Sequence, residues 1–209
     1  FDTGIYDYSM MKSVFTPIPT EEQQYSKTLK VSTTRQDWCG HVYLQYNLDG
    51  DRYNVKQYSY FEKEGDKTIT IPSVHLEDEI WTRIRIAPET LAIGDVKMIP
   101  GSFFTTLRMI DIGEEKAVAE LINTKEGDRR DVSLYTVTYP SMRRTLSIRF
   151  NRHFPHDILS WSETYPSGSG KNAEVLTTKA HRTHAVMTDY WNKNSVKDLE
   201  LRKELGLPR

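Results

Sequence analysis

The stretch "HVYLQYNLDGDRYNVKQYSYF", residues 41–61, decides the fold class of this chain. Two runs rich in aromatic and β-branched residues flank Asp49-Gly50, and the glycine permits the positive φ of a tight hairpin turn. The stretch therefore predicts an antiparallel β-hairpin whose solvent face is rich in tyrosine.

Further strand patterns lie on both sides of this hairpin. In residues 27–34, "KTLKVSTT", side chains alternate with the period of two that a half-buried strand requires. Short runs bounded by Gly, Pro or charged residues follow the hairpin, and we interpret each of them as a strand: "KTITIP", "DVKMIP", "FFTTLRMI", "KAVAELINT", "DVSLYTVTYP", "RTLSIRF" and "ILSWSETY". Together they predict a long antiparallel meander.

One mid-chain segment breaks the strand period. In residues 73–88, "SVHLEDEIWTRIRIAP", apolar residues recur at helical spacing, which predicts a helix near residues 76–86. The acidic residues of this segment, such as Glu77 and Glu79, are expected to be solvated, as charges on helix or turn surfaces usually are. The helix is expected to pack on the sheet through four apolar side chains: Leu76, Ile80, Trp81 and Ile84.

The C-terminal stretch "NSVKDLELRKELG", residues 194–206, predicts a second helix with a charged surface. Ser195 and Asp198 have the spacing of a capping box, and Gly206 supplies a left-handed end. With strands more numerous than helices, the chain is predicted to be an α+β protein. We expect a curved, predominantly antiparallel sheet, an open half-barrel that wraps the mid-chain helix.

The length of 209 residues and the mass of 24.3 kDa favour a single domain over residues 1–209. If the mid-chain helix fills the hollow of the sheet only partly, the remainder is an apolar pocket suited to a lipid or another apolar ligand. Tyrosine combines a large apolar area with a polar tip, which suits contact surfaces. The expected ligand-binding residues are therefore Tyr43, Tyr58, Tyr60 and Trp81.

The motif "DWCGH", residues 37–41, contains the only cysteine. In an extended strand, Asp37, Cys39 and His41 would point to one face, and Trp38 would lie on the opposite, apolar face. A thiol nucleophile, an imidazole base and an orienting carboxylate are the parts of a hydrolase or transferase, which is the alternative function. Side chains at i and i+2 of a strand stand roughly 6–7 Å apart, which is too far for direct contact between a thiolate and an imidazolium. The preferred interpretation is therefore a structural strand with no catalytic residue.

Other classes of site have little support in the sequence. The chain has 28 basic and 29 acidic side chains without a basic stripe, so nucleic acid is not an expected partner. One cysteine and no H-E-x-x-H motif leave no recognisable zinc spacing, and neither a metal nor a cofactor is expected. Residues 165–172, "YPSGSGKN", lack the first glycine and the Ser or Thr of a phosphate loop and are interpreted as a linker.

Several blocks of the chain resemble a group of uncharacterised exported proteins and lipoproteins of Gram-negative bacteria. These blocks are "TGIYDYSMMKSVFTP", "DWCGHVYLQYN", "YSYFEKEGD", "LEDEIWTRIRIAPETL" and "MIPGSFFTTLRM". Some members of the group carry the label "septum formation inhibitor Maf". Maf proteins are nucleotide pyrophosphatases that begin with an S-x-S-x-R-R motif. Here "SMRR", residues 141–144, lies between two late strands and lacks the earlier serine, so that activity is not carried over.

The closing run "YPSMRRTLSIRFNRHFPHDILSWSETY" is similar to the last hairpin of LolA-like half-barrels. This resemblance implies an exported protein with an apolar hollow and without a conventional active site. It implies a location in the periplasm or on the outer membrane, where a lipid anchor preceding Phe1 would be the only membrane attachment. The implied partners are a lipid or other apolar ligand, or another envelope protein.

Overall fold

Two mostly antiparallel β-sheets, neither closed into a barrel, form the body of the protein. The computed structural model describes residues 5–23, 25–126, 130–168 and 173–207. The first sheet has five strands in chain order: β1 (Ser9–Phe15), β2 (Lys30–Gln36), β3 (His41–Asp49), β4 (Arg52–Ser59) and β5 (Lys67–Pro72).

The second sheet has seven strands, in the order β12-β11-β10-β9-β8-β7-β6. The strands β6 and β7 pair in parallel, and the other pairs of this sheet are antiparallel. Their bounds are β6 (His75–Leu76), β7 (Gly94–Ile99), β8 (Glu115–Glu126), β9 (Arg130–Tyr139), β10 (Arg144–Asn151), β11 (Ile158–Ser167) and β12 (Glu174–His181).

Short helices connect and cover these sheets. The α-helices are α1 (Ile80–Ile86), α2 (Ser102–Arg108) and α3 (Glu200–Glu204). Single 3-10 turns are Glu77–Glu79, Pro88–Thr90, Pro140–Met142, Tyr190–Asn192 and Val196–Asp198. The predicted α+β class and C-terminal helix are confirmed, and the one curved sheet of the prediction is divided into two sheets.

The predicted hairpin within residues 41–61 is confirmed. Asp49 pairs with Arg52 across a two-residue loop, and Gly50 has a φ of 58°, the left-handed conformation that glycine adopts without steric cost. Along β3, Val42 and Leu44 are buried while the residues between them are less so, as the period of two requires.

The predicted mid-chain helix is also present, with a modified start. Ile80 and Ile84 are buried against the second sheet, and Trp81 packs at the edge of the same cluster. Leu76 is buried but belongs to β6, so the helical segment begins only at the 3-10 turn Glu77–Glu79.

The helix α2 replaces a predicted strand, "FFTTLRMI". Contacts with distant segments hold this stretch helical, and they outweigh the strand propensity of its aromatic and β-branched residues. Both carboxylate oxygens of Asp78 accept hydrogen bonds of 3.1 Å from the backbone N–H of Ser102 at the first turn. From β2, Arg35 donates a hydrogen bond of 2.7 Å to the carbonyl of Thr106.

The predicted linker at residues 165–172 is shorter than expected, because β11 continues to Ser167. Residues 169–172 of that linker lie outside the described residues. The capping box of Ser195 and Asp198 is confirmed, and Gly206 ends the last helix with a φ of 65°.

The segment that precedes α1 lies where the two sheets meet. Leu76 and Ile99 belong to the second sheet by hydrogen bonding, yet they pack in the hydrophobic cluster of the first sheet. The residues that follow Leu76 are therefore surrounded by elements of both sheets, and this position determines the candidate site.

Candidate functional site

A groove lined mainly by aromatic and aliphatic side chains runs between β1, α2 and β11. Its large lobe has a volume of about 680 Å³. The T-shaped contact of Phe104 with Tyr165, with ring centroids 5.3 Å apart, joins α2 to β11 at this lobe. The walls of the large lobe include Met10, Phe103, Phe104, Leu107, Trp161 and Tyr165.

A small lobe of about 450 Å³ adjoins the large one. The two lobes share Phe103, Phe104, Trp161 and Glu163 as lining residues, so we treat them as one groove. The small lobe extends past Trp81, whose ring makes a T-shaped contact with Trp161 at 6.2 Å. Its remaining lining is partly charged and includes Lys12, Glu77 and Arg144.

Of these three residues, Glu77 belongs to the acidic 3-10 turn Glu77–Glu79 that precedes α1. Glu77, Asp78 and Glu79 were expected to be solvated, but all three are buried. Burying a charge is costly unless it is paired and hydrogen-bonded. Each of these carboxylates has such partners, and they come from distant parts of the chain.

Glu77 forms a two-pronged ion pair with Arg144, at 2.5 and 2.6 Å. The Nε of Arg144 also donates a hydrogen bond of 2.6 Å to Glu163. Burial alone raises the pKa of the Glu77 carboxyl, but the charge and hydrogen bonds of Arg144 outweigh this and hold the pKa below its ordinary value. Glu77 therefore stays ionised beneath the groove.

Asp78 and Glu79 connect the acidic turn to the first sheet. Lys12 on β1 forms an ion pair with Asp78, and its ammonium lies 4.4 Å from the Phe103 ring centroid. Glu79 accepts hydrogen bonds from Thr28 at 2.6 Å and from Arg83 at 3.0 Å. Burial raises the pKa of Glu79, but hydrogen bonds from His75 and Arg83 more than offset this, and the net shift is downward. The turn thus ties both sheets together.

One feature of the sequence is a signal for this network. Three consecutive acidic residues precede an apolar helix, and such a cluster needs cations if the segment is buried. The cations could not be assigned by spacing, because Lys12 and Arg144 lie 66 and 67 residues away from Asp78 and Glu77, respectively.

The structure separates the four residues that were predicted to bind a ligand. Trp81 lines the small lobe of the groove. Tyr43 and Tyr58 stack on each other at 6.3 Å, on the face of the first sheet opposite its buried residues. Tyr60 stacks on Phe61 at 4.1 Å and donates hydrogen bonds to Asp37. A contact role for these tyrosines stays a prediction, and it concerns a surface apart from the groove.

Residues 37–40 of the motif "DWCGH" form a turn and His41 begins β3, so the strand expected over the whole motif is wrong. Asp37 accepts hydrogen bonds from the backbone N–H groups of Cys39, at 2.8 Å, and Gly40, at 3.1 Å. This is the turn chemistry that aspartate favours. Trp38, expected on an apolar face, is consequently 68% exposed. A side chain at Gly40 would place its Cβ 2.5 Å from Cγ of Tyr60, so the turn requires glycine there.

Cys39 is a free, exposed thiol whose sulfur accepts a hydrogen bond of 2.8 Å from the Tyr6 hydroxyl. Within the described ranges, no hydrogen bond joins Cys39 or Asp37 to His41. Asp37 is occupied by the backbone of the turn, so the structure does not assemble the three residues into a nucleophile, base and orienter.

We predict that Cys39 reacts with Ellman's reagent in the native protein without denaturant, because its side chain lies on an exposed turn. Stopped-flow absorbance at neutral pH measures the rate. A rate far above that of a small exposed thiol such as glutathione would instead favour the nucleophile alternative, and reaction only on unfolding would contradict the turn.

Among the described residues, no group of three or more His, Cys, Asp or Glu side chains is arranged to hold a metal ion. The helices in the described part of the chain are too short or too polar to cross a bilayer. Comparison with known proteins gives no match to a protein family, a curated protein or a solved structure. The proposed function therefore rests on the groove and on its charged floor, by which we mean the ion pairs of Lys12 with Asp78 and of Arg144 with Glu77.

Proposed function

We propose that this protein binds an apolar ligand in the groove between β1, α2 and β11, and that it does so as an exported protein of the bacterial cell envelope. The observation that carries the first part is the large lobe. Its volume of about 680 Å³ lies within the range of small-molecule sites, which is roughly 300–1,000 Å³. Aromatic walls with a few polar groups are typical of such sites.

The charged floor supports this proposal by fixing the groove's shape. The guanidinium carbon of Arg144 lies 4.2 Å from the centroid of the Phe104 ring, and the ammonium of Lys12 lies over the Phe103 ring. The ion pairs of the charged floor therefore hold two of the aromatic walls through cation–π contacts. A site whose walls are fixed before the ligand arrives loses less conformational entropy on binding. The envelope location is supported by the resemblance of the sequence blocks to exported proteins.

The proposal predicts that filling the large lobe reduces ligand binding. Leu107 lines this lobe and is 40% exposed, so Leu107→Trp should occupy the groove without straining the core. We expect the affinity for the apolar dye N-phenylnaphthylamine to fall by about tenfold, or ~1.4 kcal/mol. Dye fluorescence titration measures this effect.

The matched control is Ile122→Trp, which makes a similar change at an exposed apolar position on β8 that lies outside the lining of the groove. This variant should bind the dye like the parent protein. Equal dye binding by Leu107→Trp and the parent protein would mean that the dye binds elsewhere and would overturn the proposed site.

A further inference from the structure

The large lobe contains a cation, Arg108, that has no carboxylate partner within the described ranges. Arg108 is the last residue of α2, and its guanidinium lies 5.5 Å from the ring centroid of Tyr165. One of its nitrogens donates a long hydrogen bond of 3.4 Å to the carbonyl of Pro166. A guanidinium has five N–H donors, so most of them remain available to a ligand.

The other cations that line the groove are already held by carboxylates, and Arg144 with its two carboxylates keeps one net negative charge. Lys12 is paired with Asp78, and Arg144 is shared by Glu77 and Glu163. A cation held in an ion pair attracts an incoming anion weakly, because its partner carboxylate repels that anion. Arg108 is thus the position in the groove lining at which a cation is free to meet an anionic group, away from the negative cluster of Glu77, Arg144 and Glu163.

The surroundings of Arg108 combine this preference with apolar surface. Leu107 precedes it on α2, Phe103 and Phe104 lie one turn back on the same helix, and Tyr165 lies under its guanidinium. A ligand that is complementary to the lining of the large lobe has an apolar body and one anionic end. Arginine binds carboxylate and phosphate groups with paired hydrogen bonds, which fix the orientation of such an end.

We infer that the groove takes up a monomeric acyl-chain anion, with the anionic head group at Arg108 and the chain along the aromatic walls. This inference rests on the proposed function and adds the charge and orientation of the ligand to it. In this arrangement the head group lies at the C-terminal end of α2, where Arg108 is the last residue. The chain extends past Trp161 toward the small lobe, whose lining includes Val14, Trp81 and Leu146.

The test compares three ligands with one chain and different head charges: laurate, lauryl alcohol and laurylamine. Each displaces N-phenylnaphthylamine from the parent protein and from Arg108→Ala. We expect laurate to bind most tightly to the parent, and Arg108→Ala to weaken laurate by about fivefold, the upper range for an exposed ion pair. Binding of lauryl alcohol to Arg108→Ala should stay within about twofold of its parent value, which also shows that the variant is folded.

The control variant Arg52→Ala removes an exposed arginine on β4 that lies outside the groove lining, and it should leave the binding of all three ligands unchanged. Equal affinities for the three ligands, with no effect of Arg108→Ala, would overturn the head-group inference and leave groove binding intact. Failure of all three to displace the dye would overturn both the inference and the proposed function. Binding to anionic phospholipid vesicles without laurate binding would also overturn the inference, since the ligand would be a membrane surface.

Discussion

Replacing Arg144 with alanine should lower the free energy of unfolding by about 3–5 kcal/mol, the cost of leaving a buried charge without its partner. The side chain of Arg144 is 2% exposed, and its removal leaves the buried Glu77 carboxylate without a counter-ion and Glu163 without its closest cation. Denaturant unfolding followed by circular dichroism measures this loss.

The matched control is Lys97→Ala, which breaks the exposed ion pair of Lys97 with Glu114. Exposed pairs contribute roughly 0–1 kcal/mol, so this variant should unfold near the parent midpoint. The double variant Glu77→Leu/Arg144→Met, which replaces the pair by apolar groups, should recover most of the lost stability. A loss below about 1 kcal/mol in Arg144→Ala would contradict the buried network.

Replacing Gly101 with alanine should lower the free energy of unfolding by about 1–3 kcal/mol, through overpacking. A methyl group at Gly101 would overlap with an Oε1 atom of Glu77 and lie 3.2 Å from its Cδ atom. The Glu77 carboxylate cannot move aside easily, because Arg144 holds both of its oxygens. The same measurement of unfolding applies.

Gly113→Ala is the control for this substitution, since a methyl group at Gly113 would meet no atom within 4 Å. This change should alter stability by less than about 0.5 kcal/mol. In the double variant Glu77→Leu/Arg144→Met, the effect of Gly101→Ala should also change, because residues in contact are not additive. An unchanged cost in that background would show that the glycine is required for another reason.

The parts of the fold that follow local patterns could be predicted from the sequence. The β3–β4 hairpin depends on alternation and on Gly50, and the burial of Ile80 and Ile84 depends on helical spacing, all of which are visible in short windows. The strand predicted over "DWCGH" is wrong for a local reason, since an aspartate that precedes a glycine by three residues is a turn signal.

The parts that depend on distant partners could not be predicted in this way. The residues of α2 have strand-like composition, and contacts with Asp78 and Arg35 decide its helical state. The burial of the acidic turn requires Lys12 and Arg144, and no periodicity relates them to it. The groove could not be predicted from local patterns for the same reason, since β1, α2 and β11 are brought together only by the tertiary structure.

The most direct test of the binding groove is photo-crosslinking with a diazirine analogue of laurate, followed by mass spectrometric mapping of the adducts. We predict adducts on Phe103, Leu107 and Tyr165, and we expect excess laurate to remove them. Adducts on Tyr43 and Tyr58 of the outer face, or labelling that excess laurate does not reduce, would contradict the account.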